Sequence, residues 1–146
     1  MPAVPSHPFD AAIALQADGQ QHFIGHTSPA YANMIGPFGG ITAATLLNAA
    51  CLHPARLGEP LALTVNYAGP VADGPFRISA RPVRTNRSTQ HWCMELEQGE
   101  AIAATASAVF AARRETWSAT EIGFPPAPPA AEAPATLGMR ARLITA

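Results

Sequence analysis

The chain lacks lysine altogether and carries little charge of either sign. Of its 146 residues, 13% are charged and 48% are hydrophobic, and all nine Lys or Arg positions are arginine. Soluble proteins usually carry about 25% charged residues, so we expect part of this surface to be covered in a homodimer or a higher homo-oligomer. The formal net charge of −1 offers no basic surface to nucleic acid or to an anionic membrane, and neither is expected as a partner.

Signals for metals, disulfides and membranes are missing as well. The two cysteines, Cys51 and Cys93, stand far apart in apolar contexts, and we expect both to be reduced thiols of the core. No Cys/His cluster has zinc-site spacing, so neither a metal nor a cofactor is expected. The first eight residues do not have the pattern of a signal peptide, so none is expected, and no run reaches the ~20 apolar residues that a membrane span needs. This pattern favours a cytoplasmic protein.

What the chain does contain is one strongly helical segment followed by four strand-like segments. From Gly39 to Leu52 nearly every residue is small or aliphatic. This helix should end at His53-Pro54, because the residue before a proline avoids helical geometry. Alternation of apolar and polar residues predicts strands over 60–68, 76–84, 89–98 and 101–112. A short helix over 9–16 and a first strand over 19–24 are expected before the central helix.

A single helix can cover so long an antiparallel sheet only if the sheet curls around it. The order of elements therefore predicts an α+β, single hotdog fold, with an antiparallel sheet wrapped around one central helix, over residues 19–114. Residues 1–18 are predicted to form an N-terminal arm and short helix, and 115–146 a proline-rich linker or C-terminal tail. Residues 137–146 are too few to form a domain. The exposed edge of such a sheet favours the pairing of two units.

The turn from Gly36 to Gly40 leads directly into the central helix. A helix start gathers free backbone N–H groups, and glycine lets a ligand come close to them. We therefore predict that the Gly40 N–H holds a polarised carbonyl oxygen as a catalytic group. Phe38 and Gly39 are predicted to contact the substrate at the same place. The alternative is that the two glycines only permit a tight turn.

Several segments, in this order, resemble the thioesterase-like superfamily, and more narrowly the N-terminal repeat of acyl-CoA thioesterase II-type proteins. They are Phe38-Gly39-Gly40, Tyr67-Ala68-Gly69-Pro70-Val71, Gly74-Pro75, Val83 to Ser88 and Leu96 to Glu100. The resemblance covers about residues 19–113. It implies hydrolysis of acyl-CoA to free acid and CoA by a double hotdog of two tandem repeats.

The chain departs from this family pattern because it contains only one repeat. The resemblance places the Asp, Thr and Gln that hold the hydrolytic water in the second repeat. Their counterparts here fall near Gly39, Pro60 and Ser107, and none of them matches. The resemblance therefore implies the fold and the ligand class more directly than the activity.

Hydrolysis also needs a base that activates water, and the central helix carries no carboxylate. Asn48 is the predicted catalytic residue for orienting water, and a structural, hydrogen-bonded amide is the alternative. Of the histidines, none has a metal spacing or a motif partner. His26 is the strongest of them, since it lies in the uncharged stretch before the Gly-Gly turn. His53, at the helix end, is expected only to complement the helix dipole.

Two further groups of polar residues are predicted to bind substrate. Thr64 and Asn66 share one face of a strand and are predicted to line the pocket. Arg87, Ser88 and Thr89 belong to a polar cluster between two strands and are predicted to contact the phosphates of CoA, which arginine suits. A solvated hairpin with structural hydrogen bonds is the equal alternative for this second group.

The sequence thus predicts an acyl-CoA thioesterase-like protein that works as a homodimer. One alternative is a non-catalytic acyl-CoA or acyl-binding hotdog module, which the missing base favours. Another is one half of a split double-hotdog thioesterase.

Overall fold

The computed structural model describes residues 7–127, 129 and 132. Contacts divide the chain into two units, Met1–Arg114 and Glu115–Ala146. In the second unit, the described residues form neither helix nor strand. Much of the predicted linker or tail over 115–146, and all of 137–146, lies outside the described residues. Every helix and strand of the described chain therefore belongs to the first unit.

Six antiparallel strands form one sheet. In chain order they are β1 (Gln16–Ala17), β2 (His22–His26), β3 (Glu59–Tyr67), β4 (Pro75–Thr85), β5 (Thr89–Gln98) and β6 (Ala101–Ala111). Their order across the sheet is β1-β2-β4-β5-β6-β3, and every neighbouring pair is antiparallel. The three strands from β4 to β6 follow one another directly, as the alternating pattern predicted, while β3 crosses over to the far side of β6.

The helix α2 (Gly39–Leu52) lies against the inner face of this sheet, and α1 (Pro8–Ala12) precedes the first strand. Leu46, Ala49 and Ala50 of α2 are fully buried against a sheet core that includes Trp92 and Phe110. Alanines on both surfaces allow the helix and the sheet to approach closely, since short side chains leave little to keep the backbones apart. The predicted fold class, a single hotdog of mixed α+β type, is confirmed.

The predicted bounds of α2 and β5 are those of the structure; β3 and β4 differ from prediction by one residue at each end, and β6 by one residue at its C-terminal end. The first elements differ more. The first helix ends at Ala12 rather than at residue 16, because Gln16–Ala17 pairs with Phe23 and Ile24 of β2. The first long strand begins at His22 because Gly19, with φ of +85°, lies in the turn before it.

Strand β3 forms one edge of the sheet and pairs only with β6 among the described strands. Leu61 and Tyr67 are each 56% exposed, and Leu63 and Val65 are only partly covered by the core. An edge of unpaired backbone groups with apolar side chains is a surface on which another strand can pair. Within the described residues no helix is both long and apolar enough to cross a membrane.

Candidate functional site

The helix α2 begins without a side-chain cap. Its N-cap residue is Phe38, whereas Ser, Thr, Asp or Asn usually occupies that position and binds a free N–H group. The Phe38 carbonyl accepts from Ile41 and Thr42. Within the described residues, the N–H groups of Gly39 and Gly40 have no hydrogen-bond partner. Two donors therefore stay available at the positive end of the helix dipole.

The segment before the helix folds back tightly on itself. The Asn33 side chain accepts from the N–H groups of Ile35 (3.0 Å) and Gly36 (3.3 Å). A Cβ on Gly36 would lie 2.6 Å from the carbonyl oxygen of Val71, a backbone atom that cannot move aside easily. Glycine at position 36 thus allows this segment to lie directly against the connection between β3 and β4.

Tyr67, at the end of β3, reaches the first residue of the helix. Its hydroxyl donates to the Gly39 carbonyl oxygen at 2.6 Å. A Cβ on Gly39 would meet the Tyr67 ring and hydroxyl at 3.3 Å. A Cβ on Gly40 would overlap the ring of Phe38 instead, and this ring is 58% exposed. The two glycines thus allow two aromatic rings to lie beside the helix start.

An open groove of about 190 Å³ lies at the helix start. Ile35, Gly39, Thr42 and Tyr67 are among the residues that line it. Thr42 is only 5% exposed, and its hydroxyl forms no hydrogen bond within the described part of the chain. Thr42 also borders a small apolar cavity of about 10 Å³ behind the groove, which is too small for an acyl chain. The arrangement can accept a polar atom at the helix start beside an apolar wall.

Among the described residues, no general base lines the groove. Neither a carboxylate nor an imidazole is among the residues that line it, and no group of three potential metal ligands occurs in the described residues. His26 lines the small cavity. Its Nδ1 lies 2.9 Å from the Thr27 carbonyl oxygen, so the neutral ring donates there and leaves Nε2 as an acceptor.

Asn48 does not join the residues at the helix start. Its Nδ2 donates to the Ile13 carbonyl oxygen at 2.8 Å, just beyond the end of α1. Eight residues of helix separate it from Gly40, which corresponds to ~12 Å. The contact supports the structural alternative, in which Asn48 fastens the N-terminal segment to α2, and gives no support to a role in orienting water.

Thr64 and Asn66 lie on the face of β3 that turns away from the helix. The register pairs them with Ser107 and Thr105 on β6, and Asn66 Nδ2 lies 3.4 Å from the Thr105 hydroxyl. Leu63 packs against the core on the opposite face. The structure therefore does not bring Thr64 and Asn66 to Gly40 within one chain, because alternate residues of a strand point to opposite faces, and their contact with substrate remains a prediction.

Arg87, Ser88 and Thr89 lie in the hairpin between β4 and β5. The Thr89 hydroxyl accepts from Asn86 Nδ2 at 3.1 Å, and the Ser88 carbonyl accepts from the Ala112 N–H. This hairpin neighbours the C-terminal end of α2, a helix of 14 residues and hence ~20 Å long. The structure does not bring it to Gly40, and its contact with CoA remains a prediction.

Burial shifts the pKa values of two titratable groups near the C-terminal end of α2. It lowers the pKa of His53, which is 7% exposed and stacks edge-on against Trp92. It raises the pKa of the Cys51 thiol, an effect that the nearby Arg56 opposes. Cys51 and Cys93 are both free and half-buried, which makes them less deeply placed than expected.

Sequence reasoning missed the contributions of Tyr67, Thr42 and Asn33. Tyr67 lies on the face of β3 that packs against the helix, but nothing local in the sequence pairs it with a carbonyl 28 residues away. Thr42 had a detectable signal, since it is a hydroxyl in the first turn of an otherwise apolar helix. Asn33 three residues before Gly36 is typical of a side chain that caps its own turn.

The fold and the uncapped helix start define a hotdog protein with two free N–H donors beside a groove, and comparison with known proteins identifies its family. Residues 28–111 match the sequence profile of the acyl-CoA thioesterase N-terminal domain. The chain belongs to this family, and the resemblance drawn from the sequence is confirmed. Among curated proteins, no match was found.

Three solved structures illustrate the likeness. A hotdog protein of unknown function from Alicyclobacillus acidocaldarius shares 56% identity with a TM-score of 0.83, over 88% of this chain and 48% of that one. An acyl-CoA thioesterase II from Mycobacterium marinum shares 17% identity with a TM-score of 0.70, over 85% and 46%. A Bacillus halodurans protein solved with CoA shares 19% identity with a TM-score of 0.58, over 66% and 70%. The chain thus spans about half the length of the first two.

Proposed function

We propose that this protein binds acyl-CoA thioesters at the start of α2 and hydrolyses them to free acid and CoA. The observation that carries the proposal is the pair of N–H groups of Gly39 and Gly40, which have no hydrogen-bond partner within the described residues and lie at the end of the helix where Gly39 and Thr42 line the groove. Membership of the acyl-CoA thioesterase N-terminal domain family supports the ligand class. The CoA bound by the Bacillus halodurans neighbour agrees with it.

In the proposed reaction, the thioester oxygen accepts a hydrogen bond from the Gly40 N–H. Attack of water on the carbonyl carbon places negative charge on that oxygen. The N–H and the positive end of the helix dipole stabilise the charge more strongly than they stabilise the neutral carbonyl. Loss of one such donor typically costs about 10²–10³ in kcat. The C–S bond then breaks, and the thiolate of CoA takes up a proton on leaving.

The base that removes the proton of water is the open part of this mechanism. Among the described residues, no imidazole or carboxylate lines the groove. The small cavity beside it is lined by one imidazole, that of His26. The alternative source is a second hotdog unit, paired along the free edge of β3, which ends at Tyr67 beside the groove. A homodimer, or a separate second repeat, would supply such a unit.

The absence of a base from the groove lining favours a second candidate function. A module that binds acyl-CoA without hydrolysing it needs only the donors of the helix start and the apolar wall. Binding and hydrolysis must therefore be measured separately.

The experiment is release of free CoA from a panel of short, long and aromatic acyl-CoAs, with binding of each to the same protein measured by calorimetry. The variant is Gly40→Val, whose side chain overlaps the Phe38 ring and crowds the helix start. We expect turnover that Gly40→Val lowers by about 100-fold or more, while the thermal melt stays cooperative. His26→Gln is assayed beside it, and unchanged turnover in that variant would assign the base to the second unit.

Binding without turnover would support the non-catalytic module. Turnover that survives Gly40→Val in a folded protein would overturn the role of this N–H. If a folded oligomer shows neither binding nor turnover, the remaining hypothesis is that the chain is half of a split enzyme.

A further inference from the structure

The hydrogen bond from Tyr67 reaches the one peptide unit that the proposed reaction uses. The carbonyl of Gly39 and the N–H of Gly40 belong to the same peptide group, which is planar. The Tyr67 hydroxyl holds that carbonyl oxygen at 2.6 Å. Fixing the direction of the carbonyl therefore also fixes the direction in which the Gly40 N–H points.

This restraint matters because the peptide joins two glycines. Glycine has the widest choice of backbone dihedral angles of any residue, and the first turn of a helix lacks the hydrogen bonds to a preceding turn. Without the hydrogen bond from Tyr67, only the helix that follows sets the direction of the Gly40 N–H. A donor that stabilises developing charge acts best when its direction is set before the reaction.

The same hydrogen bond also strengthens the donor. A peptide carbonyl that accepts a hydrogen bond becomes more polarised, and its N–H becomes a better donor, by a cooperative effect of about 10–30% per bond. Tyr67 lies on the edge strand β3 and is 56% exposed. Its aromatic ring thus contributes little to the core, whereas its hydroxyl makes a short contact with the backbone of another element.

Thr42 is a second polar group at this place that is available to a ligand. It is only 5% exposed, lines the groove and has no hydrogen-bond partner for its hydroxyl within the described residues. Thr45, one turn further on, satisfies its own hydroxyl by donating to the Ile41 carbonyl at 2.8 Å. Among the described residues, the Thr42 hydroxyl is not one of the fully enclosed atoms that lack a partner, so it stays open to water or to a ligand and can form a hydrogen bond with either.

We propose that Tyr67 is a positioning residue, which orients and polarises the Gly39–Gly40 peptide so that the Gly40 N–H can bind the thioester oxygen. The inference rests on the proposed function for its catalytic meaning. The hydrogen bond and its effect on the peptide do not depend on that function.

The test compares Tyr67→Phe with Tyr31→Phe, which exploits the fact that the chain has two tyrosines. The Tyr31 hydroxyl forms no hydrogen bond in the described structure, and its residue does not line the groove. Both changes remove one hydroxyl and keep the ring. Gly39→Ala is a second variant, because its Cβ would press on the Tyr67 hydroxyl and ring while the tyrosine remains.

Two measurements are made on each folded protein. The first is the amide resonance of Gly40 by NMR without ligand, which we expect to move upfield in Tyr67→Phe and in Gly39→Ala but not in Tyr31→Phe. The second is steady-state hydrolysis. Tyr67→Phe should lower kcat roughly three- to tenfold, the range that one hydrogen bond represents, with KM unchanged within about twofold.

An unmoved Gly40 resonance in both Tyr67→Phe and Gly39→Ala would overturn the proposal. So would a loss of activity that lies in KM alone, or an equal loss in Tyr31→Phe. Failure of the proposed function is a separate result: the wild type would neither release CoA nor bind acyl-CoA, while the resonance would still report the hydrogen bond.

Discussion

Replacing Gln90 with methionine should be one of the most destabilising single changes in this protein. Gln90 is 1% exposed and uses both ends of its amide. Its Nε2 donates to the Ala55 carbonyl (2.9 Å) and to the Thr85 hydroxyl (2.8 Å). Its Oε1 accepts from the Leu57 N–H (2.8 Å) and from Trp92 Nε1 (3.0 Å). The side chain thereby fastens the connection after α2 to β5.

Methionine matches glutamine in length and adapts to irregular cavities, so the change removes hydrogen bonds with little loss of packing. The N–H of Trp92, a residue 1% exposed, has no water to replace its partner and should cost about 1–3 kcal/mol. The half-buried N–H of Leu57 adds a similar or smaller amount. Ala55 and Thr85 are exposed and can turn to water. We therefore expect a total loss of about 3–5 kcal/mol.

Gln98, on the same strand and the same face, provides the matched control. Its amide also binds backbone groups, namely the N–H and carbonyl of Ala72 and the carbonyl of Pro75, but in an exposed setting. Gln98→Met should therefore cost about 1 kcal/mol. The assay is urea and thermal unfolding followed by circular dichroism, with Gln90→Met melting at least ~12 °C below the wild type. Equal losses for the two variants would refute the argument from burial.

Two further predictions concern stability. Burial lowers the pKa of His53 in the folded protein. As the pH decreases, the unfolded chain therefore takes up a proton at His53 at a higher pH than the folded protein does. The contribution of His53 is full above its ordinary value near 6.5 and falls as the pH decreases through that value. Acid also removes the bond that Nδ1 accepts from Ala55 N–H at 3.0 Å. The free energy of unfolding of the wild type and of His53→Gln is measured between pH 5 and 8. The decrease that His53 causes at low pH should be present in the wild type and missing from the variant, and parallel curves would contradict it. Gly58→Ala should cost about 1–3 kcal/mol more than Gly99→Ala, since both have positive φ but only a Cβ on Gly58 overlaps the Ala111 backbone. Equal unfolding midpoints would count against that contact.

The fold was largely predictable because its main signals are local. The central helix begins at Gly39-Gly40 and ends before His53-Pro54, and both signals depend on neighbours in the sequence. The strands follow from alternation, which depends on a period of two. By contrast, β1 has only two residues, which is too short for any period. Its pairing with β2 is a tertiary contact that the sequence pattern does not contain.

The candidate site was predictable only where it is local. Gly39, Gly40 and Phe38 adjoin in the sequence and lie together at the helix start. The sequence left two alternatives open for Asn48, because a polar residue in an apolar helix has the same pattern whether it contacts substrate or a distant backbone carbonyl. Tyr67 reaches Gly39 only because β3 crosses to the far edge of the sheet. That crossover is a property of topology and leaves no mark on the residues themselves.

The proposed chemistry depends on how the protein assembles, because the groove lies beside the free edge of β3. The proposed donors for a thioester carbonyl lie in this chain, while the described residues that line the groove include no base. Tyr67 belongs to the edge strand itself, so a strand from a second unit that pairs with β3 would arrive beside the helix start. A group carried by that unit could then reach the water opposite Gly40. For this reason, activity measured as a function of protein concentration is informative. A specific activity that rises with dimerisation would place the base across the edge, and one independent of oligomeric state would return attention to His26.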